Sequence, residues 1–185
     1  TVTLRADGSS KFAKGNRWGF FPAGALAWRI SNEDFLKDNQ VVSNLKLRLS
    51  YGSSGNDRID ADLYQKLYGV SSSRPAGWGE VSHYYYNFYN SKYVYNPDVK
   101  WETTITRNIG IDFGFFKERL SGTIDVYWNT VKDLLVPSDI PGYTGYTKLM
   151  TNVGKTSNRG IELQLNAWLV ETKDFSLNAT FNIGH

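Results

Sequence analysis

The chain has 185 residues, enough for one ordinary domain, and no cysteine, which excludes disulfides and cysteine-held metals. Its formal charge of +3 (21 Lys and Arg against 18 Asp and Glu) is spread along the chain without a basic run, which argues against a nucleic-acid surface. No run of about 18 apolar residues offers a transmembrane helix, whereas 12 Tyr, 6 Trp and 17 Gly suit a β protein whose surfaces are apolar on one side and wet on the other.

The chain opens in strand grammar: Val2, Leu4 and Ala6 alternate with Thr3, Arg5 and Asp7. Side chains alternate faces along a strand, so this pattern gives one apolar and one polar face. A polar connection, 8–17, leads to a predicted strand from Trp18 to Ile30, with Phe20, Leu26, Trp28 and Ile30 on one parity and Ala25, Ala27 and Arg29 on the other. Pro22 sits early in it, where a missing N–H costs least. Residues 31–36, Ser-Asn-Glu-Asp-Phe-Leu, suggest one helical turn with a Ser or Asn cap. From Asn44 to Gly52, Leu45, Leu47, Leu49 and Tyr51 alternate with Lys46, Arg48 and Ser50.

Residues 53–100 are irregular, rich in Ser, Gly, Asn and Tyr, with a hairpin expected around 63–70 and 84–95. Residues 103–134 then read as a long hairpin. Ile105, Ile109, Ile111, Phe113 and Phe115 share one parity of its first arm; Leu120, Ile124, Val126 and Trp128 share one parity of its second. Each arm keeps its alternation for about twice the usual strand length of 5–6 residues, and a tilted membrane-crossing strand needs about 9–11 residues. A loop is expected at 136–152, followed by paired strands 158–169 and 175–183. Short connections (near Glu33–Asn44, Glu118 and Glu171) alternate with long ones (8–17, 53–100, 136–152), as in barrels with short periplasmic turns and long extracellular loops. Both ends fall inside strand patterns, so a fragment of a longer protein is expected.

Several stretches carry a resemblance. Residues 5–12, Arg-Ala-Asp-Gly-Ser-Ser-Lys-Phe, and 16–22, Asn-Arg-Trp-Gly-Phe-Phe-Pro, resemble SusC/RagA-type TonB-linked outer-membrane proteins. So do 28–31, 44–52, the Asn-Pro-Asp-Val-Lys-Trp-Glu-Thr-Thr of 96–104, Asn152-Val153-Gly154-Lys155, and 158–163. The blocks are collinear and span nearly the whole chain; the weakest region is 57–95. The resemblance implies a partial TonB-dependent β-barrel over 1–185, without a plug domain or C-terminal strand, from an antiparallel up-and-down barrel of about 22 strands. It implies import of glycans or peptides across a bacterial outer membrane with a SusD-type surface lipoprotein, and TonB acting on the missing plug. Arg5, Arg29, Arg48, Asp112, Asp125, Glu162 and Trp168 are then the expected lumen-lining residues.

Other motifs are weaker. Val153-Gly154-Lys155-Thr156 looks like the tail of a phosphate-binding loop, but Leu149 stands where the first Gly is required, so a strand start is expected. Asp57, Asp60 and Asp62 are hard oxygen ligands at short spacing, suited to Ca²⁺, but not at EF-hand positions; a solvated loop without a cofactor is preferred. A nucleophilic triad lacks material, since His83 is the sole internal histidine. Asp112, Asp125 and Glu162 share the polar parity, yet no neighbour distinguishes an acid from a base, so no enzyme is expected. Tyr84, Tyr85, Tyr86, Tyr89 and Tyr93 are the candidate extracellular-loop contacts, for substrate, for the lipoprotein or for the loop itself. The alternative reading of the whole is a soluble β-sandwich carbohydrate-binding module, with the apolar parity buried between two sheets.

Overall fold

The computed structural model describes residues 1–37, 39–66, 68–71, 85–88, 93–142 and 146–185, and for 68–71 and 85–88 the backbone only. The strands are β1 (Val2–Gly8), β2 (Trp18–Arg29), β3 (Val42–Asn56), β4 (Tyr68–Ser71), β5 (Tyr85–Phe88), β6 (Tyr93–Val94), β7 (Glu102–Phe115), β8 (Leu120–Lys132), β9 (Leu135–Asp139), β10 (Lys148–Asn152), β11 (Lys155–Glu171) and β12 (Ser176–Gly184). Seven form one sheet in the order β1-β2-β3-β7-β8-β11-β12, every pair antiparallel. The wall is therefore up and down, and the three long connections all leave from one end. No helix among the described residues is long and apolar enough to cross a membrane, which says nothing of strands.

Register aligns the apolar parities into continuous rungs. Trp28, Leu47, Ile111, Ile124, Leu163 and Ile183 stand side by side across six strands. Leu26, Leu49, Ile109, Val126 and Ile161 form the next rung. Most of this face is open: Leu26 is 63% exposed, Ile161 47% and Ile183 57%. A sandwich would bury these side chains under a second sheet; none covers them among the described residues, so that alternative is set aside.

Several boundaries differ from the sequence reading. β3 runs from 42 to 56, beyond the predicted 44–52, because the Ser53–Asn56 stretch still pairs with Ile105 back to Glu102. β11 starts at Lys155, three residues early, pairing with Lys132. Where one Ser- or Asn-capped helical turn is expected at 31–36, a 3-10 turn over Ile30–Asn32 without a side-chain cap follows directly on Arg29, and a second turn follows in which the Leu36 and Lys37 N–H groups both donate to the Glu33 carbonyl at 2.9 Å. Glu33 closes the first turn: its N–H donates to the Ile30 carbonyl at 3.1 Å, and its carboxylate accepts from Trp28 Nε1 at 2.8 Å.

The 136–152 loop contains a hairpin, β9 with β10, to which β6 adds in parallel. Pro137 lies in β9, the edge strand, where no ladder N–H is required of it. In the irregular stretch β4 pairs with β5, close to the expected hairpin, while Leu63 is used elsewhere.

The tight turn between β7 and β8 holds three consecutive non-glycine residues in the left-handed region, Phe116, Lys117 and Glu118 (φ 55°, 57° and 65°). The Phe116 N–H donates to the Val41 carbonyl (2.8 Å), the Lys117 N–H to Ser43 Oγ (2.7 Å), and the Arg119 carbonyl accepts from the Trp168 N–H (2.8 Å).

Candidate functional site

The opposite face of the sheet collects the polar parities. Ala27, Arg48, Gly110, Asp125, Glu162 and Gly184 share one rung, and Arg29, Lys46, Asp112, Thr123, Gln164 and Asn182 the next. Arg48 joins the two. Its Nε donates to both Asp112 oxygens at 2.9 and 3.0 Å, and its terminal nitrogen donates to Asp125 Oδ2 at 3.1 Å. Lys46 Nζ lies 3.7 Å from Asp112 Oδ2.

Arg48 reaches Asp125 by crossing Gly110, which stands between them on β7. A Cβ there would sit 2.5 Å from Asp125 Oδ1 and 2.7 Å from the guanidinium carbon. A residue with no side chain is thus what lets the bridge span two strands. Asp125 Oδ1 is covered yet has no hydrogen-bond partner among the described residues. Beside it, Thr123, Glu162, Gln164 and Asn182 help line a hollow of about 480 Å³.

The seven residues singled out from the sequence all fall on this face, but only Arg48, Asp112 and Asp125 are bridged together. Glu162 stands directly opposite Asp125. Arg29 is beside Lys46. Arg5 pairs with Asp7 at 2.8 Å and is largely exposed. Trp168 faces Asn178, next to an irregularity in the β11–β12 register. Chemically, the face offers an ion network and amide side chains to water or a polar guest.

At the long-connection end a compact core appears that sequence reasoning missed. Phe12, Ile59, Leu63, Val99 and Met150 are buried, with Tyr93, Trp101 and Leu135 packed against them. Phe12 is fully buried and Val99 2% exposed. Phe12 and Phe21 both meet the Trp101 ring, at 5.3 and 5.6 Å between centroids. Asparagines lace this cap to the backbone: Asn96 Nδ2 donates to the Met150 carbonyl, and Asn152 Nδ2 to the carbonyls of Lys100 and Asp133, each at 2.8 Å. The available signal was the resemblance itself, because the blocks at 5–12, 16–22, 96–104 and 152–155 meet here.

Of the tyrosines, Tyr93 lies in β6, half-buried against the cap. Tyr84 and Tyr89 lie outside the described residues, as does His83; Tyr85 and Tyr86 belong to β5, described by its backbone alone. Asp57 accepts from Ser9 Oγ at 2.8 Å and lies 3.9 Å from Lys11 Nζ; Asp62 accepts from Gln65 Nε2 at 3.1 Å. Gly154 turns with φ +93° just before β11, and a strand rather than a phosphate-binding helix follows it.

An antiparallel up-and-down wall, apolar and uncovered on one side and charged on the other, defines the class: a segment of transmembrane β-barrel. The family model "TonB dependent receptor-like, beta-barrel" matches residues 1–184, and the chain belongs to that family, whose members are outer-membrane β-barrels of Gram-negative bacteria. It is 44% identical to the TonB-dependent receptor SusC of Bacteroides thetaiotaomicron, over 99% of this chain and 18% of that protein. It is 36% identical to the TonB-dependent receptor P3 of Formosa agariphila, over 98% of this chain and 18% of that protein. The RagAB peptide importer in its closed-closed state superposes with a TM-score of 0.80 at 30% identity, over 99% of this chain and 19% of that one. The chain therefore spans under a fifth of the length of these relatives.

Proposed function

We propose that this chain is part of the wall of a TonB-dependent importer for glycans or peptides that works with a SusD-like surface lipoprotein. The apolar face meets lipid, and the polar face, with Arg5, Arg29, Arg48, Asp112, Asp125, Glu162 and Trp168, lines the lumen around a plug supplied by another part of the protein. TonB acts on the plug; the wall houses it and keeps a hydrated path beside it. The observation that carries this reading is the apolar rung from Trp28 to Ile183, exposed at Trp28, Ile111 and Ile183 and backed by the Arg48 network. The function is passage and not catalysis: Asp112 and Asp125 are tied to one guanidinium, which suits a structural bridge better than an acid–base pair.

The test uses the full-length protein in its native outer membrane. Deleting its gene should abolish energy-dependent uptake of one labelled class, oligosaccharide or oligopeptide, with loss of uptake when the proton gradient is collapsed. Uptake of both classes unchanged in the deletion strain would overturn the importer reading.

A further inference from the structure

The apolar face is not uniformly apolar. Arg107 and Arg159 flank Trp128 on the rung just beyond Leu49, Ile109 and Val126, and Lys132 and Lys155 oppose one another two rungs further toward the long connections. Adjacent strands are about 4.8 Å apart, so Arg107 and Arg159 stand about 10 Å apart across Trp128. Among the described residues none of these four cations forms an ion pair with a carboxylate. Arg107 lies over the Tyr51 ring, 5.9 Å from its centroid, on the same rung. This contrasts with the polar face, where Lys46 and Arg48 share Asp112.

A groove of about 620 Å³ adjoins Arg107, lined by Val2, Gly24, Leu26, Leu49, Ile109 and Trp128 among others. Gly24 opens it. Its rung neighbours are Val2 and Tyr51, and a Cβ built at Gly24 would meet only the Thr1 carbonyl, at 3.8 Å. The Arg107 rung lies about 13 Å along the strands from the rung of Ile111, close to the edge of an apolar band about 25 Å tall. Cations without carboxylate partners, interleaved with aromatics at that height and set above an apolar groove, match an amphiphile with a phosphate at its head.

We propose that this rim is a binding site for one phosphate-bearing lipid of the outer leaflet, its phosphate held by Arg107 and Arg159 with Lys132 and Lys155 beyond, and one acyl chain lying in the Gly24 groove. The proposal rests on the wall reading above, with the long connections facing outward. It is tested on the full-length protein purified from outer membranes in mild detergent, with lipid binding followed by native mass spectrometry. The probes are phosphorylated lipid A, the same lipid dephosphorylated, and inorganic phosphate. R107Q/R159Q should weaken binding of phosphorylated lipid A about tenfold or more, R107K/R159K should retain most of it, and Gly24→Phe should weaken it by filling the groove. Dephosphorylated lipid and inorganic phosphate should each bind poorly. Equal binding by wild type and R107Q/R159Q, or equal binding of the two lipid forms, would overturn the site. Heat-modifiable migration of each variant in SDS separates the two readings: an intact barrel with unchanged lipid binding overturns this site alone, whereas a wild type without that behaviour overturns the wall reading.

Discussion

The wall and the cap solve the same problem in opposite ways. In the wall, Leu26, Ile161 and Ile183 are long apolar side chains on regular strands, and they are exposed. In the cap, Phe12, Leu63 and Val99 sit in connections, and they are buried. The cap gains its stability as a water-soluble core does, from apolar area removed from solvent. The wall cannot: its polar face is open to water, and its apolar face depends on lipid. One chain thus holds a part that folds against itself and a part that folds against a membrane.

Three sets of substitutions probe that contrast, beginning with the largest effect. Phe12→Ala should cost the cap about 3–5 kcal/mol, read as faster hydrogen exchange at Asn96, Lys100 and Asn152 while the β7–β8 ladder stays protected. Equal loss of protection in both would show that cap and wall are one cooperative unit. Next, Ile111→Arg or Leu163→Arg, in the middle of the apolar band, should cost about 2–4 kcal/mol when the barrel is unfolded from lipid vesicles. Thr123→Arg on the other face should be close to neutral, and an equal cost at both positions would undo the face assignment. The smallest effect belongs to the polar network. Arg48→Gln and Gly110→Ala should each cost about 1 kcal/mol, since the pairs are part-exposed. The double variant should be little worse than either alone, because both open the same bridge; additive costs would mean that Gly110 serves something other than the Arg48–Asp125 contact.

The wall was legible because its signal is local. Alternation at Ile109, Ile111 and Phe113, and again at Leu163, Leu165 and Ala167, needs no knowledge of neighbours, and it set both faces and the direction of the connections. What it could not supply is register. Arg48, Asp112 and Asp125 were placed on one face, but the bridge follows from the pairing of Arg48 with Gly110 and of Gly110 with Asp125. The cap was illegible for a related reason. Ile59 and Val99 each stand between charged neighbours, Phe12 between Lys11 and Ala13 and Met150 between Leu149 and Thr151, and they meet only through contacts between residues far apart in sequence. Phe21 was missed likewise: it lies on the polar parity of β2, where it is buried against Trp101.

The turn at 116–119 has a mechanical consequence. Left-handed backbone with a side chain costs about 1–2 kcal/mol per residue, and this turn adopts it three times in succession. That conformation points its N–H groups sideways, to Val41 and Ser43 on one flank, while its last carbonyl takes the Trp168 N–H on the other. The turn is therefore a clasp between adjacent hairpins as well as the end of its own. Prising the wall apart at this rim means breaking those bonds together with the ladders, so the edge with the shortest connections resists splaying more than its strands alone would.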